Sequence, residues 1–200
     1  MHYRRYIRVV LAVLASLCFA RVAGSADRYV TDPAHTSVGF TVRHLMIYKV
    51  RGKFNEYTGT IMYDEHDITK SSMHGTIQAA SLDTDDEKRD KDLRSAQFLD
   101  VERFPEITFA STRVEKKDDG YVLIGDLTIH GITKEVAIPF AITGPVMHRG
   151  QTLLGFEARL QINRHDFGIT YNRLMDNGGL VVGNTVDIEL FGRAIKKAED

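Results

Sequence analysis

Downstream of residue 26 the chain carries seven histidines, His35, His44, His66, His74, His130, His148 and His165. Imidazole can ligate a metal or move a proton near neutral pH. None of these residues forms an HxH or HExxH pair, and their spacings give no metal-ligand pattern. Cys18 is the only cysteine, so no thiol nucleophile, disulfide or Cys-ligated metal is available after that point. No GxSxG elbow, GxGxxG turn or phosphate loop is present. The carboxylates gather in turns and in one charged segment, where solvation explains them. The sequence therefore calls for no cofactor, metal or catalytic group, and the expected protein is not an enzyme.

Two places keep chemical interest. His44 stands in phase with Phe40 and Val42 on one face of an alternating run. It is either a satisfied strand-end histidine or a polar group at the mouth of an apolar cavity. The second place is Asn163-Arg164-His165-Asp166-Phe167-Gly168-Ile169, which mixes amide, guanidinium, imidazole, carboxylate and aromatic groups. One reading is a structured corner, with Arg164 paired to Asp166 or another acid and Phe167 filling a gap. The other makes Asn163 and Arg164 donors to a ligand head group at a rim. Arg89, Asp90 and Arg94 carry the same ambiguity.

The elements that must position these groups are mostly strands. Short runs alternate apolar and polar residues between turn residues: Thr36–His44, Val50–Phe54, Tyr57–Tyr63, Met73–Ala80, Glu106–Lys116, Tyr121–Ile129, Glu135–Thr143, Thr152–Asn163 and Thr185–Ile195. Asp32-Pro33 is expected to open the first run as a turn. Gly52 and Gly59 are expected to allow coiling or a bulge. Asp118-Asp119-Gly120 signals a hairpin, and Gly144-Pro145 a join. Pro139 lacks a ladder N–H, so it is expected at a bulge or a poorly paired position.

The stretch Thr84–Phe109 breaks the pattern. Thr84 or Asp85 can cap a helix whose first turn is acidic and whose last turn holds Arg94. The helix itself offers chiefly Leu93 as a large apolar residue, and Phe98, Leu99, Val101 and Phe104 follow at once. The segment reads as a cover over a sheet closed on itself. Eight antiparallel strands can close into a barrel holding side chains or one small ligand. Periodicity alone leaves a two-sheet sandwich open. The large apolar inward residues Phe40, Phe54, Ile77, Phe109, Leu127, Ile129, Phe140, Phe156 and Ile162 favour the barrel.

Length and address narrow the function. Two hundred residues suit one domain. Residues 1–26 read as a signal peptide: Arg4, Arg5 and Arg8 precede the apolar run Val9–Ala20, and Gly24-Ser25-Ala26 supplies small residues for cleavage. The run is shorter than the roughly 20 residues that span a bilayer. Removing four of the 26 Lys and Arg leaves 22 against 27 Asp and Glu, a formal charge of −5. That argues against a nucleic-acid partner, and export points to the periplasm, with no stable membrane insertion of the mature chain. The domain is residues 27–200.

The motifs, taken together, resemble the YceI-like family of exported polyisoprenoid-binding proteins. The pieces are Asp32-Pro33-Ala34-His35-Thr36-Ser37-Val38, Arg51-Gly52-Lys53-Phe54, Ala80-Ser81-Leu82-Asp83-Thr84, Phe104-Pro105-Glu106-Ile107-Thr108-Phe109, Gly125-Asp126-Leu127-Thr128-Ile129-His130-Gly131-Ile132-Thr133-Lys134 and Ile162-Asn163-Arg164-His165-Asp166-Phe167-Gly168. They cover essentially residues 28–195 in order. The chain departs from the pattern at Asp92, where the family usually has histidine, and at Thr36, where it often has serine.

The resemblance implies an all-β fold, an eight-stranded antiparallel lipocalin-like barrel with one inserted helical segment. Its apolar tunnel would hold an isoprenoid, an isoprenoid quinone or a similar long-chain lipid for carriage or storage. Family members often pair as dimers. The residues expected to line the tunnel are Phe40, Val42, Phe54, Ile77, Leu93, Phe98, Phe109, Leu127, Phe140, Phe156 and Phe167. Arg94, His44, Asn163 and Arg164 are the candidates for the polar end. The alternatives are an enzyme acting on such a lipid through His44 or Asp92, and a stress-related structural protein with a filled core.

Overall fold

Alternating side chains along ten strands bury one face of a single antiparallel sheet, and the sheet escapes its own edges by closing. The computed structural model describes residues 26–118, 120–173 and 181–198. The strands are β1 (Asp27–His44), β2 (Tyr48–Phe54), β3 (Tyr57–Tyr63), β4 (Ser72–Gln78), β5 (Leu82–Asp83), β6 (Glu106–Lys117), β7 (Gly120–Ile129), β8 (Ile132–His148), β9 (Gln151–Asn163) and β10 (Val182–Lys196). β1 pairs along its length with β10, which closes the ring. Against its other side β1 takes β3 at residues 27–30 and β2 at 38–44. β2 and β3 thus run as one kinked stave, and β5 likewise prolongs β4 beside β2. The result is a closed eight-stranded barrel, and closure removes the exposed ladder groups that invite aggregation. Among the described residues, every strand pairing and every buried cluster lies within residues 27–196.

Among the described residues the single α-helix, α1, spans Glu87–Arg94. Its cap is Asp86, whose side chain accepts from the Arg89 N–H at 3.0 Å, and not Thr84 or Asp85. Thr84 is drawn off by Asp90: the Asp90 Oδ1 accepts from the Thr84 N–H (2.9 Å) and hydroxyl (2.5 Å). Asp85 sits at positive φ. Arg89 donates to the Thr84 hydroxyl and carbonyl. These charges clasp a short helix that has little apolar area to hold it down.

Other sequence expectations meet a physical correction. Asp32-Pro33 does not open β1; it lies inside it, at a register break between Thr31 and Thr36. A bulge there suits proline, which has no N–H for the ladder. Asp32 braces the bulge by accepting from Ala34 N and from Arg193 Nε and Nη2 on β10. Gly144-Pro145 likewise falls within β8, at a register break between Thr143 and Val146. Gly52 sits in unbroken β1–β2 register and makes no bulge. A Cβ there would come within 2.6 Å of the Phe40 ring, which rests on this glycine across the strand pair. Pro139 stays in register with Val122 of β7 but lies just outside the last β8–β9 pair, Phe140–Ala158, where pairing to β9 stops. Asp119 of the expected hairpin turn, and residues 1–25 of the expected leader, lie outside the described residues. Among the described residues no helix is long and apolar enough to cross a membrane.

The barrel is filled unevenly. At the end where β1 begins, Tyr29, Ile61, Tyr63, Leu154 and Ala194 pack tightly, with the Tyr29 and Tyr63 rings edge-on at 6.2 Å. Val114, Leu123 and Ile138 extend this plug. Ile68, from the segment joining β3 to β4, packs against both groups. At the opposite end the sheet is covered by α1, the segment after it, and a 3₁₀ turn at Arg164–Phe167.

Candidate lipid-binding cavity

Above the plug the inward faces leave a cavity of about 220 Å³. Its wall takes Val38, Phe40 and Val42 from β1, Phe54 from β2, Ile77 from β4, and Ile107 and Phe109 from β6. Leu127 and Ile129 of β7, Phe156, Leu160 and Ile162 of β9, and Val182, Val186, Ile188 and Leu190 of β10 complete it. Leu93, Phe98 and Leu99 come down from α1 and the segment after it, so that segment is indeed a cover. The spacing of two along each strand explains the set: Val186, Ile188 and Leu190 point in, while Glu189 and Phe191 between and beyond them are exposed. The polar contribution is mainly threonine, together with Tyr57, whose hydroxyl donates to the Thr36 carbonyl. Burial, with Asp32 nearby, pushes the Tyr57 hydroxyl pKa up.

Of the expected lining residues, Phe40, Val42, Phe54, Ile77, Leu93, Phe98, Phe109, Leu127, Phe156 and Phe167 all border this space. Phe140 does not. It points inward, but toward the filled end, against Val114, Leu123, Ile138 and the Tyr121 ring at 6.2 Å. The β10 residues were not expected as lining. Their alternation is visible in the sequence, but the β10 side chains that line the cavity are all aliphatic, a weaker mark of an inward face than large aromatic residues.

The four polar candidates separate. Arg164 borders the cavity and is only 4% exposed. It does not pair with Asp166; no acid among the described residues lies within ion-pair distance. Its Nε donates to the Gly183 carbonyl (3.0 Å) and its Nη1 to the Ile169 (2.7 Å) and Tyr171 (2.8 Å) carbonyls. Nη2 reaches Asn184 Oδ1 at 3.4 Å. Burial without a counter-charge lowers the Arg164 pKa from the ordinary arginine value, and the fork is spent on pinning the rim where β9 leaves the barrel. Asn163 lies outside the cavity; its Oδ1 caps the 3₁₀ turn by accepting from His165 N at 3.1 Å. Arg94 is also outside. It donates to the Ala80 carbonyl at 2.8 Å and to the Leu82 carbonyl, tying α1 to β5.

His44 ends the inward row above Val42 without bordering the cavity. Its ring meets that of Tyr48 edge-on at 5.2 Å. Its Nδ1 is buried and has no hydrogen-bond partner among the described residues. A buried polar atom left unpaired is costly, which marks this nitrogen as an unsatisfied polar group beside the rim among the described residues. Asp92, the departure from the family pattern, is exposed on the helix and away from the cavity.

A closed barrel, a plugged end and an apolar hollow under a short helix define the architecture, and comparison with known proteins places it. The YceI-like domain model matches residues 29–194. The chain belongs to the YceI-like family. Relatives include the UPF0312 protein VVA0736 of Vibrio vulnificus, 34% identical over 195 residues, which cover 94% of this chain and 98% of that one. Protein YceI of Salmonella newport is 38% identical over 160 residues, 78% of this chain and 84% of the relative. Among solved YceI-like structures, the Campylobacter jejuni YCEI protein superposes with a TM-score of 0.67 at 29% identity, over 84% of this chain and 96% of that one. Burkholderia cenocepacia BcnA gives 0.70 at 22% identity, over 82% and 98%. A polyisoprenoid binding domain of Saccharophagus degradans implicated in plant cell wall breakdown gives 0.63 at 12% identity, over 86% and 99%. The last two show a shared fold.

Proposed function

We propose that this YceI-like protein holds a long-chain amphipathic lipid, a polyisoprenoid or an isoprenoid quinone, in the barrel cavity for carriage or storage in the periplasm. The observation that carries this reading is the hollow itself. A cavity of about 220 Å³ with an almost wholly apolar wall disfavours water and accepts hydrocarbon, because water there would find few partners. Each methylene removed from water is worth about 0.8 kcal/mol, so a segment of about ten carbons gains about 8 kcal/mol before association and ordering costs. Little hydrogen bonding is then needed for retention. The filled end makes the cavity blind, so the tail enters toward the plug and the head group stays at the rim, near His44 and the α1 cover. The polyisoprenoid-binding neighbour on the same fold supports the choice of ligand. His44 and Asp92, the groups an enzymatic alternative would use, do not border the cavity, which favours binding over turnover.

The direct test is native mass spectrometry of gently purified protein, followed by organic extraction. A co-purifying isoprenoid lipid, or stoichiometric uptake of added ubiquinone, is the expected result. Absence of both, from protein that is folded by circular dichroism, overturns the reading.

A further inference from the structure

The connection between β1 and β2 is built against ordinary turn chemistry. Leu45 and Met46 hold successive positive φ values of 49° and 61°, a geometry that asparagine and glycine supply cheaply. A side chain with a Cβ is disfavoured there. The turn is nevertheless well formed: Ile47 N donates to the His44 carbonyl (3.2 Å) and Leu45 N to the Val181 carbonyl (2.7 Å). The same tip holds apolar side chains out in solvent. Met46 is 48% exposed, Ile47 79% and Tyr48 45%, side by side. In the hairpin at the plugged end, Arg149-Gly150 occupies the two positive-φ positions, so the turn itself is polar, and the exposed Val146 and Met147 sit back on the β8 strand.

Position and charge say what this tip meets. It stands at the end of the barrel where β1 runs out past the cavity residue Val42, beside Val182, another cavity residue. The hairpin carries Arg43, Lys49 and Arg51, all exposed, and no acidic residue from 43 to 51. Lys49 lies 3.8 Å from Asp187, an exposed pair of little strength. The rest of the domain, by contrast, has a net excess of acids. An exposed apolar tip within a collar of cations is the pattern that seats on an anionic bilayer: the side chains enter the interface and the cations meet phosphate groups.

We propose that the β1–β2 hairpin is a bilayer-docking tip, which sets the cavity mouth against an anionic phospholipid surface so that lipid passes between membrane and barrel without crossing water. This goes beyond the lipid-carrier reading and extends it.

The test uses the barrel, residues 27–200, which contains every strand pairing and core cluster of the described residues, in co-sedimentation with phosphatidylethanolamine–phosphatidylglycerol vesicles and with phosphatidylcholine vesicles. The protein should partition onto the anionic vesicles, and high salt should weaken this. Met46→Gly combined with Ile47→Thr relieves the backbone and removes the apolar tip. It should lower partitioning about tenfold or more while thermal stability is kept or raised. Arg43→Gln, Lys49→Gln and Arg51→Gln should each cost about fivefold on anionic vesicles only. Val146→Ser with Met147→Ser, at the opposite hairpin, should change nothing. Capture of ubiquinone from detergent solution should be equal in all variants, while extraction from vesicles should fall with the tip variants. Wild-type protein that captures ubiquinone from detergent yet ignores vesicles removes the docking tip and leaves the carrier reading standing. Partitioning that survives the tip substitutions, or a tip whose loss changes only the oligomeric mass, also overturns the proposal.

Discussion

Replacing Arg164 by methionine asks what a buried cation is doing on an apolar wall. The side chain is 4% exposed and its fork satisfies the Gly183, Ile169 and Tyr171 carbonyls. Methionine keeps much of the volume and supplies no donor. A buried acceptor stripped of its partner costs about 1–3 kcal/mol. The Tyr171 carbonyl belongs to a half-buried residue that water can reach, so the larger cost falls on the other two. Relief of the cation's own desolvation offsets part of the loss, and the net expectation is about 3–4 kcal/mol. With an m-value of about 2 kcal/mol per M, the urea midpoint falls by roughly 1.5–2 M. Arg164→Lys keeps the charge but cannot reach all three carbonyls, and should lose about half as much. Equilibrium urea unfolding followed by circular dichroism reads both. A loss under about 1 kcal/mol for methionine would refute the clamp. Loss of bound lipid at an unchanged midpoint would show instead that the guanidinium serves the head group.

Three further outcomes follow from the division between filled and hollow ends. Val186→Trp places an indole in the cavity from β10 and should abolish ubiquinone uptake with less than about 1.5 kcal/mol of lost stability; uptake at the wild-type level would mean that the lipid lies elsewhere. Leu154→Ala, at a 0% exposed position in the plug, should cost about 3–4 kcal/mol and leave lipid stoichiometry intact. Asp32 is held below the usual carboxylate range, chiefly by its hydrogen bond to Arg193, with Ala34 and His35 adding. Its stabilisation is therefore complete above the unfolded carboxylate pKa and fades as pH falls through the lower folded value. Asp32→Asn should lose about 1–2 kcal/mol at neutral pH and converge with wild type in strong acid; equal losses at both pH values would assign the effect to packing.

The sequence by itself determined the strand periodicity, the all-β class, the interruption by a charged helix and most of the apolar lining. Side chains alternate on a strand regardless of what closes the sheet, so Phe40, Phe54, Phe109 and Phe156 could be assigned an inward face from their spacing alone. Family motifs then pointed to the barrel. Distance along the axis was beyond such reasoning: Phe140 obeys the same alternation as Phe54, yet one faces the plug and the other the hollow. Nor does spacing reveal what a long side chain reaches. Arg94, Asn163 and Arg164 looked equivalent as polar anchors, and the folded chain spends them on a helix clasp, a cap and a rim clamp. The Asn163 cap depends on the local 3₁₀ turn, and the two arginine outcomes on carbonyls that only the folded chain brings within reach. The hollow, too, is a tertiary fact: residue types set how greasy the wall is, but only the closure and the uneven filling of the barrel decide that space remains inside it.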